Sequence, residues 1–162
     1  MKTLIVYASK YGFTKKCVDV LKEKIKGQVD VLDLKEEQPI VLSNYNQIVI
    51  GGPIYVGKVH KSIRQFCDSH VETLRNKRIG LFLTCAFSEN FQQQLKNSFP
   101  SRLIEVALVK KCFGGEMNIT KMKLFDRIIT NMVRKMTAKE EHPIPMMMVE
   151  NIDLLAKGMN VM

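Results

Sequence analysis

The sequence predicts an α/β fold in which strands and helices alternate in βαβ fashion within one domain spanning residues 1–162. Three observations carry this. An apolar run, Leu4 to Ala8, opens directly into the polar stretch Ser9-Lys10-Tyr11-Gly12-Phe13-Thr14. A second run, Gln47 to Ile50, breaks at Gly51-Gly52-Pro53. Segments with helical spacing separate these from further apolar runs at Arg78–Thr84 and Leu103–Phe113. Continuous apolar strands belong to sheets covered on both faces, the product of parallel βαβ connections. A chain of 162 residues is long enough to bury a real core.

Taken in order, Leu4 to Ala8 is a buried first strand. Phe13 to Lys26 repeats Cys17, Val20, Leu21 and Ile25 at helical steps and stops at Gly27, a natural residue after a helix end. Val29 to Leu34 alternates apolar residues with Asp30 and Asp33, the pattern of a half-exposed edge strand. A loop carrying Pro39 leads to the buried strand Gln47–Ile50, which is expected to end where Gly51-Gly52-Pro53 begins a ligand loop. His60 to His70 reads as a helix through Ile63, Phe66 and Cys67. Arg78–Thr84 is a fourth strand, Glu89–Phe99 a more polar helix closed by Pro100, and Leu103–Phe113 a fifth strand ending at Gly114-Gly115.

The last third adds a long basic amphipathic helix over Ile119–Thr137. Met122, Phe125, Ile129, Met132 and Met136 form its stripe among Lys121, Lys123, Arg127, Arg134, Lys135 and Lys139. Such a stripe serves as core packing on the sheet, while the basic flanks suit peripheral contact with an anionic membrane at the inner face. His142-Pro143-Ile144-Pro145 is an extended connector, Met146-Met147-Met148 reads as adaptable core packing rather than a copper site, and Val149–Lys157 is a final helix.

Composition narrows the function classes. Hydrophobic residues at 46% and charged residues at 25% describe a globular chain without a membrane-spanning run. The apolar stretch after Met1-Lys2-Thr3 is short and lacks a cleavage pattern, so no signal peptide is expected. Cys17, Cys67, Cys85 and Cys112 show no C-x-x-C spacing, which points to a reducing, cytoplasmic setting and against a metal site or disulfide framework. The balance of 25 Lys and Arg against 16 Asp and Glu gives +9 and favours anionic partners. Nucleic acid is not expected, since there is no Trp and no known RNA- or DNA-binding motif.

The first loop carries the chemistry. Ser9-x-x-Gly12-x-Thr14 offers two hydroxyls, a glycine that frees the backbone, and the N–H groups at the start of the following helix, which together suit a phosphate. Neither G-x-x-x-x-G-K-[ST] nor G-x-G-x-x-G is present, so ATP hydrolysis and NAD binding in the usual manner are not expected. A phosphorylation receiver would need clustered acids where this chain has Ala8-Ser9 and Gly51-Gly52-Pro53.

Ser9-x-x-Gly12-x-Thr14 followed by Gly51-Gly52-Pro53-Ile54-Tyr55-Val56-Gly57 resembles flavodoxins and their relatives over essentially the whole chain. Within them, Phe113-Gly114-Gly115, Lys123-Leu124-Phe125-Asp126-Arg127 and Arg134-Lys135-Met136 look like the menaquinone-dependent protoporphyrinogen oxidase branch. The resemblance implies a doubly wound, five-stranded parallel sheet of order 2-1-3-4-5 with helices on both faces, and FMN as cofactor. It implies that Ser9, Lys10, Tyr11, Gly12, Phe13 and Thr14 wrap the FMN phosphate. Pro53, Ile54, Tyr55, Val56 and Gly57 would line one side of the ring and Thr84, Cys85, Ala86 and Phe87 the other, with Gly114 and Gly115 also in the cofactor site. No metal is implied.

His60, at a helix start near that ring, is a candidate proton donor whose plainer role is a helix cap. Cys85 reads as a small polarizable filler rather than a redox centre, because no second cysteine is close in sequence. The expected activity is FMN-dependent transfer of electrons between a reduced organic substrate, protoporphyrinogen among them, and a quinone or other acceptor. Two alternatives stay open: an electron-transfer protein with a protein redox partner, and a non-catalytic phosphate-ligand binder. Electron-carrier flavodoxins are typically acidic, unlike this chain.

Overall fold

The computed structural model describes residues 1–36, 39–86, 88–115 and 146–161. In its sheet β1 (Lys2–Tyr7) is flanked by β2 (Gln28–Asp33) on one side and by the central strand β3 (Gln47–Tyr55) on the other, both parallel to it. A two-residue strand, β4 (Lys58–Val59), folds back antiparallel on the end of β3. Beyond β3 lie β5 (Arg78–Thr84) and β6 (Ala107–Cys112), again parallel. The order β2-β1-β3-β5-β6 is the 2-1-3-4-5 order once the small β4 is set aside.

Alternation along β1 divides the core between two faces, since successive side chains of a strand point to opposite sides. Leu4 and Val6 join Ile48, Ile50, Leu81 and Leu83 under α2 (Lys61–Leu74), α3 (Phe91–Ser98) and α4 (Ser101–Val106), which contribute Ile63, Phe66, Leu95 and Leu103. Ile5 and Tyr7 join Val49, Phe82 and Phe113 under α1 (Phe13–Lys24) and α5 (Val149–Asn160), which contribute Cys17, Leu21, Ile152 and Leu155. Phe82 and Phe113 stack with centroids 4.6 Å apart.

Three expectations are corrected. The glycines do not end the third strand: β3 runs through Gly51-Gly52-Pro53 to Tyr55, with Gly52 opposite Leu83 and Pro53 opposite Thr84. Gly51 is demanded by packing, because a Cβ there would stand 2.2 Å from the Phe82 carbonyl oxygen. Residues 103–106 are helical rather than extended: Pro100 closes α3 and, with its fixed φ, also starts α4, where Leu103 and Ile104 donate back to its carbonyl. The short apolar run there suits either state, and burial of Leu103 on the sheet face decides it. The methionine triplet is core packing only at Met147, since Met146 and Met148 are 69% and 37% exposed.

Among the described residues, no helix is long and apolar enough to cross a membrane. The expected basic helix at 119–137 and the connector 142–145 lie outside the described residues.

Candidate functional site

Parallel strands present their carboxyl ends at one edge, and the loops after β1, β3, β5 and β6 gather there. The first loop is shaped from within. Ser9 Oγ accepts the Gly12 N–H at 3.1 Å, and Gly12, at φ 91°, stands as the N-terminal cap residue of α1. That left-handed turn needs glycine. No side-chain hydrogen bond caps α1, its first turn holds no acid, and a Cβ at Gly12 would meet nothing within 4 Å. The helix start therefore faces open space with its partial positive charge, which suits an anion. The second hydroxyl ties loops together: Thr14 Oγ1 lies 2.8 Å from Thr84 Oγ1, both buried, so the first loop is fixed to the end of β5.

The loop after β3 is a hairpin. Tyr55 pairs with Lys58 across Val56 (φ 47°) and Gly57 (φ 74°), a two-residue turn with both central residues left-handed. Sequence reasoning missed it. The Gly57 signal was present, but a β-branched residue in the first turn position hides the pattern usually carried by Asn-Gly. Val56 is 88% exposed at the tip.

Lys10 bridges the first two loops, its Nζ lying 4.9 Å from the Tyr55 ring centroid and 5.4 Å from that of Tyr11. Tyr55 meets His60 edge to face at 6.2 Å. His60 caps α2: its Nδ1 lies 2.9 Å from Ser62 Oγ and accepts the Ser62 N–H at 3.4 Å. Burial, reinforced by the positive charges of Lys35 and Lys10, holds its imidazole below the usual pKa, so the ring is neutral at pH 7. Beneath the loop, burial and the neighbouring Asp33 push the Tyr7 phenol up to about 12.

At the far end, the Cys85 N–H donates to the Gly114 carbonyl at 2.8 Å, fixing Thr84–Ala86 to the residues after β6. Gly114 has φ 78° and bridges to Met147, and a Cβ there would stand 1.9 Å from the Met146 carbonyl oxygen. Gly115 has the same need, with Ala86 N 2.8 Å from its would-be Cβ. Both glycines allow backbone to meet backbone. Cys85 also has a sulfur neighbour that sequence proximity did not suggest: Cys112 Sγ stands 3.1 Å away. Their separation by 27 residues hid the pair, which adjacency of β5 and β6 creates. Phe87 lies outside the described residues, and among those described no group of His, Cys, Asp and Glu could hold a metal ion.

Comparison with known proteins agrees with the fold. A family model described as "Flavodoxin domain" matches residues 4–143. An uncharacterized protein of Methanocaldococcus jannaschii is 30% identical over 135 residues, covering 81% of this chain and 87% of the relative. The protoporphyrinogen IX dehydrogenase [quinone] of Escherichia coli K12 is 22% identical over 149 residues, covering 86% of this chain and 82% of the enzyme. Among solved structures, a flavodoxin from the domain Archaea shares the fold with a TM-score of 0.55 at 13% identity, covering 99% of this chain and 96% of that one.

Proposed function

The chain belongs to the Flavodoxin domain family, and from that premise we propose that it binds FMN along this edge and acts as an FMN-dependent oxidoreductase. The observation that carries the reading is the fastening of successive strand-end loops to one another, through Thr14 to Thr84 and Lys10 to Tyr55, around an open helix start that suits a phosphate. In this reading Ser9, Lys10, Tyr11, Gly12, Phe13 and Thr14 hold the FMN phosphate, chiefly through backbone N–H groups. The Ser9 and Thr14 hydroxyls keep the loop in shape with their protein contacts. Pro53, Ile54, Tyr55, Val56 and Gly57 take one side of the ring. Thr84, Cys85 and Ala86, with Phe87, take the other, and Gly114 and Gly115 close the far end.

The bound flavin supplies the electron-carrying chemistry. The chain orients it, shields part of it from water and keeps a neutral imidazole, His60, at the rim, where it can hold a proton at Nε2 while Nδ1 caps α2. The likeness to the Escherichia coli enzyme supports a reduced organic donor of the protoporphyrinogen type and a quinone acceptor. Residues 1–162 act as a single domain, and the scattered cysteines suit the cytoplasm. A second reading, electron transfer to a protein partner, is favoured by the exposed apolar tip at Val56 beside the basic residues Lys10 and Lys58.

Purified protein titrated with FMN should quench flavin fluorescence to saturation, and protein that ignores FMN would overturn the reading. Anaerobically reduced holoprotein should be reoxidised by menaquinone analogues, and protoporphyrinogen should then reduce it again. Reoxidation only by a redox protein would select the second reading.

A further inference from the structure

The sulfur contact at the end of the sheet lies beyond what the flavin reading requires. Cys85 follows β5 and Cys112 ends β6, and the parallel register that sets Leu83 opposite Cys112 brings the two thiols to 3.1 Å. No disulfide joins them. A disulfide bond is about 2.05 Å long, so closure asks for about 1 Å of travel. The backbone that would have to move little is already held: Phe113 N–H donates to the Leu83 carbonyl at 2.9 Å, Cys85 N–H to Gly114 at 2.8 Å, and Asn151 Nδ2 to the Cys112 carbonyl at 2.8 Å.

The chemistry of the pair is unequal. The Gly114 N–H points at Cys112 Sγ from 3.4 Å, and the Cys85 thiol can donate to the same sulfur. The Cys85 thiol foremost, with backbone N–H groups of Gly114 and Cys85, lowers the Cys112 pKa against the effect of burial. Cys112, the sulfur that accepts the Gly114 N–H, is therefore assigned as the attacking sulfur and Cys85 as its resolving partner. With Cys85 only 7% and Cys112 only 4% exposed, the pair suits an oxidant as small as hydrogen peroxide better than a bulky disulfide.

We propose that Cys85 and Cys112 form a peroxide-reactive dithiol that closes to an intramolecular disulfide, independently of whether FMN is bound. The Cys112 thiolate attacks one oxygen of hydrogen peroxide, the O–O bond breaks, and hydroxide leaves with a proton as water, giving a sulfenic acid. Cys85 then attacks that sulfur, its proton goes to the departing hydroxyl, the S–O bond breaks and the S–S bond forms. Two thiols and one peroxide give one disulfide and two waters, the sulfurs losing the two electrons that the peroxide gains. The crosslink would lock the Thr84–Ala86 loop to β6.

Cys17 and Cys67 serve as internal controls. Both are fully buried within helices, and burial pushes the Cys67 thiol up to about 12. The reduced full-length protein, without added flavin, should be exposed to hydrogen peroxide, denatured, alkylated and mapped by mass spectrometry. The expected result is a Cys85–Cys112 linked peptide, reversible by dithiothreitol, with Cys17 and Cys67 still alkylated. Cys85→Ser should leave a sulfenic acid at Cys112 that dimedone traps when added together with the denaturant, and Cys112→Ser should slow peroxide consumption by about tenfold or more. Persistence of all four thiols, or oxidation spread evenly over them, would overturn the proposal. The wild-type map decides the question even where a serine variant fails to fold, and FMN binding measured separately tells this failure from that of the flavin reading.

Discussion

Two adjacent glycines of β3 illustrate how different neighbours give the same residue type different meanings. At Gly51 a Cβ would meet the Phe82 carbonyl at 2.2 Å and the Phe82 ring at 2.5 Å, while at Gly52 the nearest atom, on the Ile63 side chain, is 3.2 Å away. Backbone cannot give way as a side chain can. Gly51→Ala should cost about 3 kcal/mol in urea denaturation and Gly52→Ala about 1 kcal/mol. Equal losses would show that the Phe82 contact is not what requires glycine. His60 supports a pH prediction. Its folded pKa lies below that of the unfolded chain, so the unfolded state binds more protons, and stability falls as pH drops below about 6.5 until the folded value is passed. Guanidinium midpoints at pH 5 and 7.5 should differ less in His60→Gln than in the wild type, whatever the variant loses as a helix cap.

At the scale of elements, the β3–β4 hairpin is the least relaxed part of the site. Val56 adopts φ 47° while 88% exposed, so no burial offsets the strain of a β-branched residue in the left-handed region. Val56→Asn should raise stability by about 1 kcal/mol, because Asn tolerates that conformation. A thermal midpoint that fails to rise would mean that Val56 makes a compensating contact. If the same variant also weakens transfer to a redox partner, the apolar tip is a docking element. The neighbouring helices teach a related lesson: Pro100 divides one polar segment into α3 and α4, and the apolar run after it changes from helix to strand at Ala107.

Across the whole molecule, the two helical layers are closed by contacts between distant parts of the chain. Asn160 at the end of α5 accepts the Lys26 N–H at 2.8 Å and donates to the Lys24 carbonyl at 2.9 Å, sealing the end of α1. Lys2 and Tyr45 hold the Asp30 carboxyl below its ordinary pKa at the β2 edge. Because the proposed cofactor edge draws on loops after several strands, FMN should stabilise the entire domain rather than one loop. At one hundred times its Kd, FMN should add about 2.7 kcal/mol to unfolding. A thermal midpoint unmoved by FMN would count against the proposed site.

The chain by itself determined the alternation of strands and helices and the phosphate-suited first loop, because these rest on local periodicity and on glycine and hydroxyl chemistry at fixed spacing, whereas the sheet order 2-1-3-4-5 followed only from the resemblance to flavodoxins. Pro53 and Gly51 were legible as special, but not why: strand β3 passes through them, and the reason for Gly51 is a Phe82 backbone more than thirty residues later. Only the tertiary structure decided that Gly114 and Gly115 admit backbone from 146 and 86, that Thr14 spends its hydroxyl on Thr84, and that Cys85 has Cys112 for a neighbour. Each of these is a contact between segments more than twenty-five residues apart in the chain. Adjacency of that kind is set by how the sheet is wound, which no local pattern records.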